Sequence, residues 1–325
     1  PREGTVADRF FVTGGAGFIG SNFVRMLLEG GHRVTNVDAL TYAGVPATIA
    51  ELDEYPNHSF VHGDIRDANL LAEFLPGHDI IVHFAAETHV DRSIDGPVDF
   101  LSTNVVGTGV LLEESRRLGV ERFVHVSTDE VYGSITEGFA PEDALLDPSS
   151  PYSASKAGSD LLALSYATTY DYPVIVTRCT NNYGPYQFPE KVIPLFVTNL
   201  LQGRKVPLYG SGLNERDWLY VDDHCSALYL LSSRGELGEV YNIGADAQMT
   251  NIDLTHAILD AMGIESSMIE YVPDRPGHDL RYAVDSSKIR ALGWKPEHGL
   301  AERLGSTIEW YSSRSDWWTP LRGAR

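Results

Sequence analysis

The sequence predicts an α/β fold, a doubly wound parallel sheet in the first half followed by a smaller mixed α/β lobe. Two observations carry this expectation. Short β-branched runs alternate with helical patterns through the first 180 residues, the signature of βαβ units. The length of 325 residues is roughly twice the ~150 of an average domain, which leaves room for a second lobe. Composition agrees with an ordinary globular chain: 43% hydrophobic and 22% charged residues, with Gly 30 and Pro 17 scattered, values that exclude collagen-like, low-complexity and generally disordered readings.

The elements follow in order. Residues 9–13 read as a first strand, and the next helix repeats Ile19, Phe23, Met26 and Leu27 on one face before stopping at Gly30 and Gly31. Strand-like runs recur at 33–38, 59–64, 79–86, 122–128 and 173–179, and 153–169 reads as a helix. The second half loses this rhythm, with helices near 190–202, 252–262 and 300–312 and strands at 206–209 and 240–243. The expected division is a dinucleotide-binding lobe over 1–180, with returns near 218–248, and a substrate lobe over 181–325.

Charge and cysteine usage narrow the class of function. Asp and Glu number 45 against 25 Lys and Arg, a net charge of −20, and such a field repels nucleic acid and anionic membranes. An anionic substrate therefore needs a few locally placed arginines, lysines and backbone amides. The two cysteines, Cys179 and Cys225, have no CxxC spacing, and no His/Cys cluster suggests a metal. Without a signal peptide or a run of ~18 apolar residues, the chain reads as a soluble cytosolic protein.

At the first strand-to-helix junction stands TGGAGFIG, with Gly14, Gly17 and Gly20 in GxxGxxG spacing. Glycines there tighten the turn and let a pyrophosphate approach the amides of a helix N-terminus, which makes the first lobe Rossmann-type. Asp38 ends the next strand 18 residues after Gly20; a carboxylate there accepts from ribose hydroxyls and repels a 2′-phosphate, favouring NAD over NADP. Asp64, after the third strand, is a candidate contact to the adenine.

Tyr152 and Lys156 lie four apart on one predicted helix, hence on one face. A nearby ammonium favours a phenolate, which makes Tyr152 a candidate base for a substrate hydroxyl as a nicotinamide accepts the hydride. Thr128, at a strand end, is a candidate hydrogen-bond donor to the same hydroxyl. His83 and His89 are expected to be structural, and Cys179 a small packed residue.

TGGAGFIG, HFAAETHVDRS and YSASK resemble the extended short-chain dehydrogenase/reductase superfamily. STDEVYG, TRCTNNYGPYQFPEKVIPLF, ERDWLYVDDH and RPGHDLRY narrow the likeness to the dTDP-glucose 4,6-dehydratase family, over nearly the whole chain. The resemblance implies a lyase reaction. C4 of the sugar is oxidised, water is eliminated across C5 and C6, and the hydride returns to C6, with tightly bound NAD regenerated in each turnover. Catalysis then falls to Thr128, Asp129, Glu130, Tyr152 and Lys156, with Glu130 the base at C5 and Asp129 the acid at the C6 hydroxyl. Adjacent carboxyls in a dry pocket disfavour double ionisation and keep one proton available. Because neighbouring strand residues point to opposite faces, the pair can share a site only where the strand has already ended.

The resemblance also places the cofactor against Phe18, Ile19, Ala39, Leu40, Thr41, Ile65, Ala85, Ala86, Thr103 and Asn182. It places the substrate against Thr88, Asn181, Lys191, Pro207, Tyr209, Arg216, Asn251, Arg275, His278 and Tyr282. Thr88 stands where the family often has serine. A homodimer through the helices near 104–118 and 153–169 is a further implication. Two readings compete: a nucleotide-sugar 4-epimerase or nucleotide-glucuronate decarboxylase, which leaves Asp129 unexplained, and a non-catalytic NAD-sensing or scaffold protein, which would need a broken reactive set, whereas Thr128, Asp129, Glu130, Tyr152 and Lys156 are all present.

Overall fold

The computed structural model describes residues 8–274 and 276–322. Its strands are β1 (Arg9–Thr13), β2 (Arg33–Asp38), β3 (His58–His62), β4 (Ile80–His83), β5 (Arg122–Thr128), β6 (Val174–Cys179), β7 (Asn181–Tyr183), β8 (Val206–Tyr209), β9 (Glu215–Tyr220), β10 (Val240–Ile243), β11 (Gln248–Thr250) and β12 (Ile269–Val272). Seven of them form one parallel sheet in the order β10-β6-β5-β4-β1-β2-β3. Runs such as Phe10, Phe11, Val12 and Val174, Ile175, Val176 are fully buried, as expected of strands covered by helices on both faces. One apolar core lies under the helix Phe18–Glu29 and another under the helix Thr108–Arg117. The order reverses between β1 and β4, and ligands of open α/β sheets bind at that crevice.

The predicted strand 79–86 is only four residues long, because β4 pairs with Phe10–Thr13 and the pairing stops where β1 turns into Gly14. The seventh strand, β10, returns from the second half after the helix Val221–Arg234. That helix begins on the residue after β9, with no loop between them to announce it. Sequence reading also missed β7, β9, β11 and β12. β9 is concealed by its own charges: Arg216 and Asp217 are both buried, and Asp217 accepts from the amides of Ala245 and Ala247 at 2.9 and 2.6 Å.

β7, β9 and β11 form a small mixed sheet, and β8 pairs with β12. Their core holds Tyr183, Phe196, Trp218 and the C-terminal residues Tyr311, Trp317 and Trp318. The last helices also fasten this part to the main sheet's helices. Trp317 Nε1 donates to Thr48 Oγ1 at 3.0 Å and Arg314 pairs with Glu51 at 2.5 Å, Thr48 and Glu51 both lying on the helix Pro46–Leu52. Trp317 is 3% exposed and packs edge-on to Trp310 and Tyr186. Trp317→Ala is therefore expected to cost about 3–5 kcal/mol, read as a lower urea midpoint at unchanged m-value.

Candidate active site

The turn after β1 cradles the nucleotide end of a deep cleft. Gly14 has φ +76°, and a Cβ there would lie 2.6 Å from the Ala85 nitrogen, so only glycine fits. Gly17 caps the helix Phe18–Glu29, no side chain satisfies the first turn and no acid sits in it, which leaves its amides and dipole for an anion. Asp38 Oδ2 accepts from Ala16 N at 2.9 Å and Oδ1 from Leu40 N at 2.7 Å. Burial pushes its carboxyl above the ordinary range.

Gly14, Gly17, Phe18, Ile19, Gly20, Asp38, Ala39, Thr41, Asp64, Ile65, Ala85, Ala86, Thr103 and Asn182 all line this cleft. Leu40 does not: its backbone turns to φ +49° and its side chain packs on the core. Asp64 meets the cleft already engaged, its carboxylate held by Arg66 Nη2 at 2.5 Å. The cleft has a volume of about 310 Å³, within the roughly 300–1,000 Å³ of ligand pockets.

The reactive end is built by the helix Pro151–Tyr170 and the end of β5. Ser150 opens the helix with a capping box and Pro151 occupies its first turn, which fixes the register that puts Tyr152 and Lys156 on one face. β5 ends at Thr128, and Asp129–Tyr132 form a single 3₁₀ turn. The expected turn is present, and Asp129 and Glu130 both line the cleft with Thr128, Tyr152 and Lys156. The Thr128 hydroxyl accepts from Glu130 N at 3.3 Å and donates to Asp129 Oδ1 at 3.2 Å.

Asp129 is 3% exposed, and its Oδ2 is buried without a hydrogen bond. Desolvation, then the charge of Glu130, pushes its carboxyl well above the carboxylate range, which favours its proton-bearing form. Tyr152 departs from the sequence expectation. Burial, with Glu130 and the neighbouring Cys179 and Asp129, holds its phenol well above its ordinary value. Lys156 does not offset this, since its Nζ donates to the Val126 carbonyl at 2.9 Å. Cys179 is buried, with its thiol pushed up to about 12 by desolvation, consistent with a packed residue. His83 is likewise structural, wedged between Thr13 and Thr108 at 2.7 and 2.9 Å, and His89 caps the helix Val90–Asp95.

Thr88, Asn181 and Lys191 line the cleft as expected, with Lys191 Nζ donating to the Thr88 carbonyl at 3.2 Å and Asn181 Oδ1 buried without a hydrogen bond. Pro207, Tyr209, Arg216, Asn251, His278 and Tyr282 are not among its lining residues. Two of them stand near the acidic pair: Arg216 stacks 4.1 Å over the Tyr282 ring, the charge of Arg216 acts on Asp129, and that of Glu130 acts on Tyr282. Tyr209 and His278 meet edge-on, 6.3 Å between ring centres, and Asn251 opens the helix Asn251–Met262. Among the described residues Arg216 forms no ion pair; it is held by the carbonyls of Glu215, Asp279 and Leu280. Arg275 lies outside the described residues.

Sequence reading missed Glu87, Gln187 and Glu190, which also line the cleft. Glu87 lies inside HFAAETHVDRS; its N–H and carbonyl are clamped by the Asn104 amide at 2.8 and 3.0 Å, and burial raises its carboxyl. Asn104 sits in the π-helical turn Leu101–Gly107 and also donates to Ser155 Oγ at 2.8 Å. One amide thus ties the Glu87–Thr88 loop to the helix of Tyr152 and Lys156.

A glycine cradle at the switch point, a strand-end acid and a buried Tyr/Lys pair define a dinucleotide-binding enzyme of the extended short-chain dehydrogenase/reductase class. The family model described as GDP-mannose 4,6 dehydratase matches residues 11–307, and the chain belongs to that family. It is 52% identical to a dTDP-glucose 4,6-dehydratase of Streptomyces niveus over 97% of this chain and 96% of the relative. It is 47% identical to that of Escherichia coli over 95% of each. Among solved structures, DesIV, the dTDP-glucose 4,6-dehydratase of Streptomyces venezuelae with NAD bound, superposes with TM-score 0.95 at 55% identity, covering 96% of this chain and 99% of that one. UDP-glucose 4-epimerase of Thermotoga maritima with UDP-glucose gives 0.88 at 32% identity, with 94% and 99% covered.

Proposed function

We propose that this protein is an NAD-dependent hydro-lyase that converts dTDP-glucose to its 4-keto-6-deoxy sugar and water. The observation that carries the reading is the acidic pair at the end of β5: a buried Asp129, its carboxyl pushed up by desolvation and by Glu130, in one cleft with Glu130, Tyr152 and Lys156. A 4-epimerase has no use for that acid. The nucleotide end fits a dinucleotide through the Gly14 turn, the uncapped helix start and Asp38; NAD, when bound, supplies a hydride acceptor for C4 and later a donor for C6.

Tyr152 takes the proton of the C4 hydroxyl as C4 becomes a ketone, and Lys156 keeps a positive charge beside it. The ketone acidifies the C5 hydrogen, which Glu130 removes. Asp129 gives its proton to the departing C6 hydroxyl, which leaves as water. C5 then recovers a proton as C6 receives the hydride. Thr88 and Thr128 orient the hexose, Arg216 and Asn251 hold the diphosphate with Arg275, and Lys191, Pro207, Tyr209, His278 and Tyr282 border the nucleoside. Incubation with dTDP-glucose and NAD should yield a 4-keto product absorbing in alkali and a deoxygenated C6 by NMR. A 4-epimer with C6 intact would overturn the reading.

The division into a dinucleotide lobe over 1–180 and a substrate lobe over 181–325 belongs to the same proposal; the sheet crosses it through β10. Among the described residues no helix is long and apolar enough to cross a membrane, and a cytoplasmic location fits the two free cysteines. A homodimer is supported by Val106, Leu118 and Leu161, which leave exposed apolar surface on the two helices named for the interface, and by Val98 and Leu101 just before the first of them; sedimentation at micromolar protein should give twice the monomer mass.

A further inference from the structure

The helix Pro151–Tyr170 carries three ionisable side chains at successive turns, Tyr152, Lys156 and Asp160. The reaction uses the first two. Asp160 is fully buried. Oδ2 accepts from Arg178 Nε at 3.0 Å, and Oδ1 lies 3.3 Å from His125 Nε2. His125 Nε2 also meets Ser159 Oγ at 3.1 Å, and burial keeps the imidazole neutral. Arg178 divides its donors among Asp160, the Tyr132 hydroxyl at 2.7 Å and the Glu142 carbonyl at 3.1 Å. Burial raises the Asp160 carboxyl, but His125 and Arg178, with the Ser127 hydroxyl, bring it below its ordinary range, so it is a carboxylate one turn from a buried ammonium.

Lys156 needs such a partner. It is 5% exposed, and loss of hydration pulls the ammonium toward the neutral amine. The foremost charge acting the other way is Asp160, followed by Cys179. The other ionisable groups near it do not supply the charge. His83 on β4 and His125 on β5 are kept neutral by burial, Cys179 on β6 stays a thiol, and Asp129 and Glu130 act on Tyr152.

We propose that Asp160 is a positioning residue of the reaction: its buried carboxylate is the counter-ion that keeps Lys156 an ammonium one helical turn below Tyr152. The inference rests on the role given to Lys156 above. Its test is the pH profile of kcat/KM for 4-keto product by the NAD-loaded enzyme. Asp160→Asn keeps the shape and a polar partner for Arg178 while removing the charge, so the alkaline limb should move down by about one pH unit. An alkaline limb superimposable on the parent's overturns the inference. Lys156→Met separates the two claims. If it leaves the profile unchanged, the role of Lys156 itself fails; if it removes the limb that Asp160→Asn leaves in place, only the counter-ion fails. Should Asp160→Asn strand the Arg178 charge and fail to fold, Asp160→Asn with Arg178→Gln removes both buried charges, and its limb should still fall.

Discussion

Phenylalanine in place of Tyr152 should lower the rate of 4-keto product formation by about a thousand-fold, within the ~10²–10⁴ that a positioned acid–base group supplies. The ring itself is well held. Tyr152 is 8% exposed, sits in a helix start fixed by the Ser150 capping box, and meets Phe100 edge-on at 6.3 Å. The fold and the bound dinucleotide should therefore survive, and only the hydroxyl is lost. Because burial and nearby acids hold that phenol above its ordinary value, the proton-accepting form grows with pH, and the parent's C4 oxidation should rise from neutral toward alkaline pH. In the phenylalanine variant that rise disappears. Dinucleotide retention with no near-ultraviolet signal of reduced nicotinamide is the expected pair of readings; parental turnover would remove Tyr152 from the chemistry.

The nucleotide half of the site was legible because its signals are backbone signals. The Gly14 turn follows from strand-to-helix geometry, and Asp38 follows from ending the adjacent parallel strand. Leu40 lies outside the cleft lining for the complementary reason: its left-handed backbone turns the side chain inward, a conformation that no spacing rule anticipates for leucine. The pairing of Asp129 with Glu130 was readable only with the condition that β5 end at Thr128, and the Thr128 hydroxyl that caps the turn supplies it. Glu87 and Glu190 were hidden because an acid in so acidic a chain carries little information until burial sets it apart. The direction of the Tyr152 shift was misread for a three-dimensional reason. Four-residue spacing puts Lys156 on the same helix face, but a carbonyl on β5 claims its ammonium.

Replacing the acidic pair together, Asp129→Asn with Glu130→Gln, should divide the reaction at its midpoint. Both amides keep the volume of the acids, and Thr128 can still cap the turn, so the cleft keeps its shape. What disappears is the base for C5 and the proton for the C6 oxygen. Release of the 4-keto-6-deoxy product should fall by about a thousand-fold or more, while sugar oxidised at C4 and reduced nicotinamide build up on the protein. Hydrogen exchange with solvent at C5 should cease, a sign that distinguishes lost elimination from slow product release. The first step should gain at neutral pH. The charge of Glu130 helps to hold the Tyr152 phenol high, so its removal lowers it and moves the acid limb of C4 oxidation to lower pH. A faster first step with a blocked second is an outcome that general damage to the cleft cannot produce. Water loss at the parental rate would mean that other groups remove the C5 hydrogen and protonate the leaving hydroxyl.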